Sequence, residues 1–186
     1  MDTMRQNLPG TAGRRRAGGR AASEVGLALL VALLSFGLVL ILAGRIRQRR
    51  NCDRYIQDLH VFAAALAHEH QQRSTWPPST SAEAPLPPDL GHALQDTHWL
   101  TGSPFGGNYA WVAPDPAGAA GNDPARGWGG RGAVILTAFS PGAPLSMSRS
   151  DLLFIDRQID DGNLATGRFR TGFNGWPVFL VEAAPR

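Results

Sequence analysis

Lysine is absent from this chain of 186 residues, and cysteine occurs once, at Cys52. Without lysine there is no G-x-x-x-x-G-K-[ST] phosphate loop and no lysine nucleophile. With one cysteine there is neither an internal disulfide nor a thiolate metal site. No G-x-S-x-G elbow accompanies Ser140, Ser146 or Ser148. The Gly127–Gly132 stretch (GWGGRG) lacks the strand–turn–helix context of a dinucleotide site. An enzyme is therefore not expected.

All 18 basic residues are arginine, and ten precede residue 55. From Tyr55 onward eight arginines face twelve acids, so the formal charge of +3 conceals a basic front and a mildly acidic remainder. Basic patches can serve nucleic acid. Here the arginines bracket an apolar run, so lipid headgroups explain them more simply, and nucleic acid is not an expected partner.

That run, residues 25–43 (VGLALLVALLSFGLVLILA), carries no charge across nineteen residues. As a helix it spans roughly 29 Å, one hydrocarbon core. It is longer than a cleaved secretory signal and lacks a small-x-small cleavage site. Arg45 stands where a lipobox would need cysteine. Arginines number five on each side, so charge alone leaves orientation undecided. Cys52 reads as an unpaired surface thiol, or as a cross-link between two copies.

After the run, Tyr55, Ile56, Leu59, Phe62, Ala63 and Leu66 recur at helical spacing. The pattern ends at Ser74, and Trp76-Pro77-Pro78 stops it. One continuous helix of about fifty residues is expected, its first half in lipid and its second on a head. Residues 77–88 read as a loop, 89–97 as a short helix, and 108–113 and 133–139 as strands with a mobile loop between. Residues 148–161 read as a helix with a Ser148/Asp151 capping box and a Leu152, Ile155, Ile159 stripe. Gly162 can take its left-handed end. Residues 168–170 and 178–181 would form a closing hairpin. The fold class is α+β: a long N-terminal helix, transmembrane then amphipathic, packed on a small antiparallel sheet. In domains this is a basic leader-like segment (1–24), a transmembrane helix (25–43), a helical stalk (44–75) and a head (76–186).

Two clusters invite a metal. His68-Glu69-His70 places its histidines two apart, on different sides of a helix, and reads as a solvated helix end. Asp156, Asp160, Asp161 and Asn163 form an oxygen-ligand cluster without EF-hand spacing, and read as either a helix exit and turn or a calcium site. Glu24, after Ser23, suits the first turn of the anchor helix.

Three groups of residues resemble the type IV pilin-like family, and more narrowly the pseudopilins of type II secretion systems. Gly19 followed by Glu24 stands directly before the apolar run. Trp76-Pro77, Trp99, Pro104, Gly106-Gly107, Tyr109 and Trp111 form a second group. Ile155-Asp156, Ile159 through Leu164, Gly167 and Phe169 form a third. The family usually has phenylalanine where this chain has Arg20. The resemblance implies a bacterial inner-membrane subunit with its N-terminus cytoplasmic and its head periplasmic. It implies cleavage by a prepilin peptidase between Gly19 and Arg20, and N-methylation there. Glu24, as the fifth mature residue, would pair with a neighbouring subunit's N-terminal ammonium during assembly. Partners would be other pilin-like subunits and envelope secretion components, with calcium as the one cofactor to consider. An anchored binding module that does not polymerise is the alternative.

Overall fold

The structure, a computed structural model, describes residues 17–80, 88–95, 97–114, 128, 131–139, 142, 144–172 and 174–182, without the side chains of 17–23 and 89. The first element, α1, runs Ala17–Arg73. The chain divides into two compact units, Met1–Arg47 and Gln48–Arg186, each described by itself.

In the first unit α1 leaves its apolar side chains uncovered on every side. Leu27, Leu30, Leu33, Leu34, Phe36 and Ile41 are all more than half exposed. The one hydroxyl in the run is satisfied internally, since Ser35 Oγ donates to the Val31 carbonyl at 2.8 Å. Uncovered leucine and a backbone bonded within itself suit hydrocarbon as solvent. This helix is long and apolar enough to cross a membrane, by length and composition. Because α1 begins at Ala17, Glu24 lies two turns inside it, and Ser23 is no cap. The expected placement of Glu24 in the first helical turn is thereby corrected.

The second unit is built on one stripe of the same helix. Cys52, Tyr55, Leu59, Phe62 and Leu66, spaced by three or four residues, are buried in the main core. The helix ends where the sequence places its end: Ser74 has a φ of 55°, a left-handed residue that breaks the hydrogen-bond ladder before Trp76-Pro77. Cys52 is only 2% exposed, which corrects the expectation of a surface thiol. It precedes Tyr55 by three and Leu59 by seven, so the helical period turns it inward with them.

After α1 come α2 (Pro88–Leu94), β1 (Asn108–Val112), β2 (Gly132–Thr137), α3 (Arg149–Ile159), β3 (Phe169–Thr171) and β4 (Pro177–Val181). The strands form one antiparallel sheet in the order β1-β2-β4-β3. Strand alternation sorts the side chains between two faces. Tyr109, Trp111, Val134, Leu136, Phe169, Phe179 and Val181 enter the core shared with α1. Ala133, Val178 and Leu180 pack on the opposite face with Trp128 and Ile135. The fold is the α+β arrangement read from the pattern, a long N-terminal helix packed on a small antiparallel sheet.

The outer edge of β1 is occupied by the segment following α1. Thr80 N–H donates to the Trp111 carbonyl (2.8 Å), and Trp111 N–H donates to Thr80 Oγ1 (2.9 Å). The Trp111 indole donates to the Pro77 carbonyl at 3.0 Å. Trp111 fits only because Gly132 lies against its ring; a Cβ at Gly132 would overlap the indole. Most boundaries differ from the sequence reading by one to three residues, with α2 ending at Leu94 and β2 at Thr137. Phe139, read as part of that strand, lies beyond it, largely exposed and edge-on to Trp176 at 4.5 Å. The 114–132 loop and residues 81–87 fall almost entirely outside the described residues.

Candidate functional site

Gly19, Arg20 and Glu24 all lie on α1, with Glu24 exposed. Glu24 is the only carboxylate in the 24–47 stretch of the helix. The structure brings no other described group to it, so the pairing expected from the resemblance would need a second chain.

The acidic cluster is better defined. Asp156 lies in the last turn of α3, Asp160 is the residue at its C-terminal cap, and Asp161 follows at the helix exit. One carboxylate oxygen from each of the three falls within 4.8 Å of the others. Their surroundings differ. Asp160 Oδ2 accepts the backbone N–H groups of Arg168 and Phe169, the latter at 2.8 Å. That contact pins the loop onto the start of β3, and Gly167 is tucked so close that a Cβ there would overlap the Asp160 carboxylate. Asp161 accepts from Thr166 Oγ1 (2.7 Å) and Asn163 N–H (2.8 Å), and these bonds hold its carboxyl below the usual range.

Asp156 is different. It is fully buried, and neither of its oxygens has a hydrogen-bond partner among the described residues. Burial raises its carboxyl above the usual value, the charges of Asp161 and Asp160 raise it further, and Arg157 opposes them. A buried carboxylate with nothing to receive is costly unless protonated or bound to a cation. Three carboxylates converging on one point are hard oxygen donors of the kind that suits calcium or magnesium. Asn163, the fourth residue of the predicted cluster, uses its Oδ1 to accept from Ala165 N–H at 3.2 Å. Asp161 and Asn163 build the turn, while Asp156 is left without a hydrogen-bond partner among the described residues.

Two further polar groupings draw partners from distant parts of the sequence. Asp58, 4% exposed, lies inside the core between His98 Nδ1 (2.7 Å) and Tyr109, whose hydroxyl donates to it at 3.1 Å. Burial drives the Tyr109 hydroxyl well above its ordinary range, so it serves as a donor. The other is Asp151, which accepts from Gln48 Nε2 and closes the predicted capping box with Ser148. Burial alone would raise the Asp151 carboxyl, but bonds from Ser148 and Gln48 outweigh it and hold it low. Burial, then the Asp151 and Asp53 charges, push the neighbouring Cys52 thiol up to about 11. A thiol held neutral in this way is a poor nucleophile.

The His68-Glu69-His70 reading needs correction in part. His68 is exposed, but His70 stacks on Trp76 at 4.3 Å and 9°, and Glu69 pairs with Arg73 at 3.1 Å. The helix end is capped by an aromatic stack, with only part of it solvated.

Compared with models of protein families, with curated proteins and with solved structures, the chain shows no match in any of the three.

Proposed function

We propose that this chain is a pseudopilin-like structural subunit of a type II secretion or type IV pilus-type envelope assembly, with no catalytic role. It would sit in the inner membrane, N-terminus in the cytoplasm and head in the periplasm. One observation carries this reading. A single helix provides both an uncovered apolar rod with one carboxylate, Glu24, and, further along, the stripe that forms the core of the head. Apolar rods packed side by side would leave Glu24 in a medium where an isolated carboxylate is costly. Pairing with a neighbour's N-terminal ammonium offsets that cost and sets the stagger between subunits. The Asp156–Asp160–Asp161 cluster is where the head would hold a calcium ion, tying the exit of α3 to the start of β3.

Mass spectrometry of the N-terminus of protein taken from its native membrane tests the proposal. A chain beginning at Arg20, N-methylated, supports it. An intact leader retaining Arg14–Arg16 counts against it and favours the second reading, a membrane-anchored binding module. Arg20 itself favours that second reading, because it carries a charge where the family presents an aromatic ring.

A further inference from the structure

Five of this chain's arginines follow directly on the end of the apolar run. No acid occurs between Glu24 and Asp53, whereas Arg45, Arg47, Arg49, Arg50 and Arg54 fall within ten residues. Three of these, Arg49, Arg50 and Arg54, belong to the head-bearing unit. The fold adds another from a distant part of the sequence. Gln48 Nε2 donates to Asp151 Oδ2 at 2.7 Å, and the Arg49 guanidinium lies 5.5 Å from the centre of the Phe154 ring. These contacts hold the first turns of α3 beside residues 48–52 of α1, and Arg149 is the first residue of α3. All four arginines are exposed, and none of them forms an ion pair among the described residues.

From this arrangement we infer that Arg49, Arg50, Arg54 and Arg149 form a surface of the head that binds the phosphates of anionic phospholipids. The inference rests on the reading of residues 25–43 as a membrane anchor. Guanidinium groups meet phosphate oxygens with two parallel hydrogen bonds and shed water more readily than ammonium groups. Basic side chains next to an anionic bilayer each contribute roughly fivefold in affinity, within a Debye length of the surface. Nucleic acid is the other polyanion such a surface could bind. Arg49, Arg50 and Arg54 follow the apolar run within eleven residues in sequence, and this favours lipid, since a membrane anchor supplies headgroups without a search. The four arginines would act on the head as well as on the helix, and so bias which lipids surround the subunit.

The test uses the full-length protein reconstituted in nanodiscs that mix phosphatidylcholine with phosphatidylglycerol. Lipids retained by the protein after transfer to mild detergent are read by native mass spectrometry. The wild type should retain phosphatidylglycerol several-fold over its share of the mixture, and molar salt should remove that preference. The variant R49Q/R50Q/R54Q/R149Q should show no preference, while the corresponding lysine variant should keep most of it. The variant's circular dichroism should match the wild type. Wild-type protein that inserts in phosphatidylcholine yet shows no anionic preference overturns the inference and leaves the anchor standing. Failure to float with phosphatidylcholine vesicles overturns both. Retention of a DNA duplex at physiological salt with no lipid preference would assign the surface to nucleic acid instead.

Discussion

Gln48 and Asp151, 103 residues apart in sequence, are joined by a 2.7 Å hydrogen bond at the point where α1 enters the head. Asp151 is at the same time the third residue of α3 and one half of its capping box. One carboxylate therefore starts one helix and fastens it to another.

Asp151→Ala should destabilise the head by about 1–3 kcal/mol, combining a lost cap with an unsatisfied Gln48. Gln48→Ala should cost less, because the cap survives it. The Asp151 carboxyl is held below its unfolded value, so its contribution is present above that value and is lost as pH falls through the lowered one. Urea unfolding of both variants at neutral and acidic pH checks the order and the sign.

Asp156 should behave in the opposite way. Its folded value is raised, so the stability associated with its proton is full below the unfolded value of 3.8 and is lost as pH rises through the raised one. In chelator, Asp156→Asn should stabilise the head at neutral pH by about 1–2 kcal/mol by removing an unpartnered buried charge. With calcium added, the wild type should gain stability and the variant should not. Thermal melts with and without calcium distinguish these outcomes, and equal melts for the wild type in both conditions would exclude a cation at this cluster.

Tyr109→Phe should cost about 1–3 kcal/mol, since it removes a donor from the buried Asp58 while leaving the ring stacked on Tyr55 and edge-on to Phe62. His98→Ala should add to the loss, because both residues serve the same carboxylate. A double-mutant cycle read by denaturant midpoint should return a non-zero coupling between them.

Gly132→Ala should be among the most damaging single substitutions in the sheet, at roughly 1–3 kcal/mol or more, because the added methyl meets the Trp111 ring. Soluble yield and melting temperature report it directly. Gly91 is half-buried, but an added Cβ would meet open space, so it should accept alanine without loss.

The elements that were legible in the sequence owe this to period and punctuation. The Tyr55–Leu66 stripe predicted its own burial because a 3.6-residue repeat leaves one face to cover. Ser148 and Asp151 announced a capping box that forms as expected. Ser74 and Trp76-Pro77 marked the end of α1. What could not be read depends on pairs distant in sequence. Asp58 looks like any polar residue on a helix until His98 and Tyr109 arrive from 40 and 51 residues away. Cys52 lay outside the stripe as read from Tyr55, although extending the same period backward would have placed it inside. In the acidic cluster the sequence supplied the residues but not the difference between them. Asp160 and Asp161 find backbone and hydroxyl donors, and Asp156 finds none among the described residues.

Self-association through α1 is the claim on which the proposed role depends. Single cysteines placed along residues 27–41 in a Cys52→Ser background, oxidised in native membranes, test it most directly. A ladder of cross-linked multimers at one face of the helix, lost on substitution of Glu24 by glutamine, is the predicted result. Monomer at every position, with or without Glu24, would contradict the account and leave an anchored head that works alone.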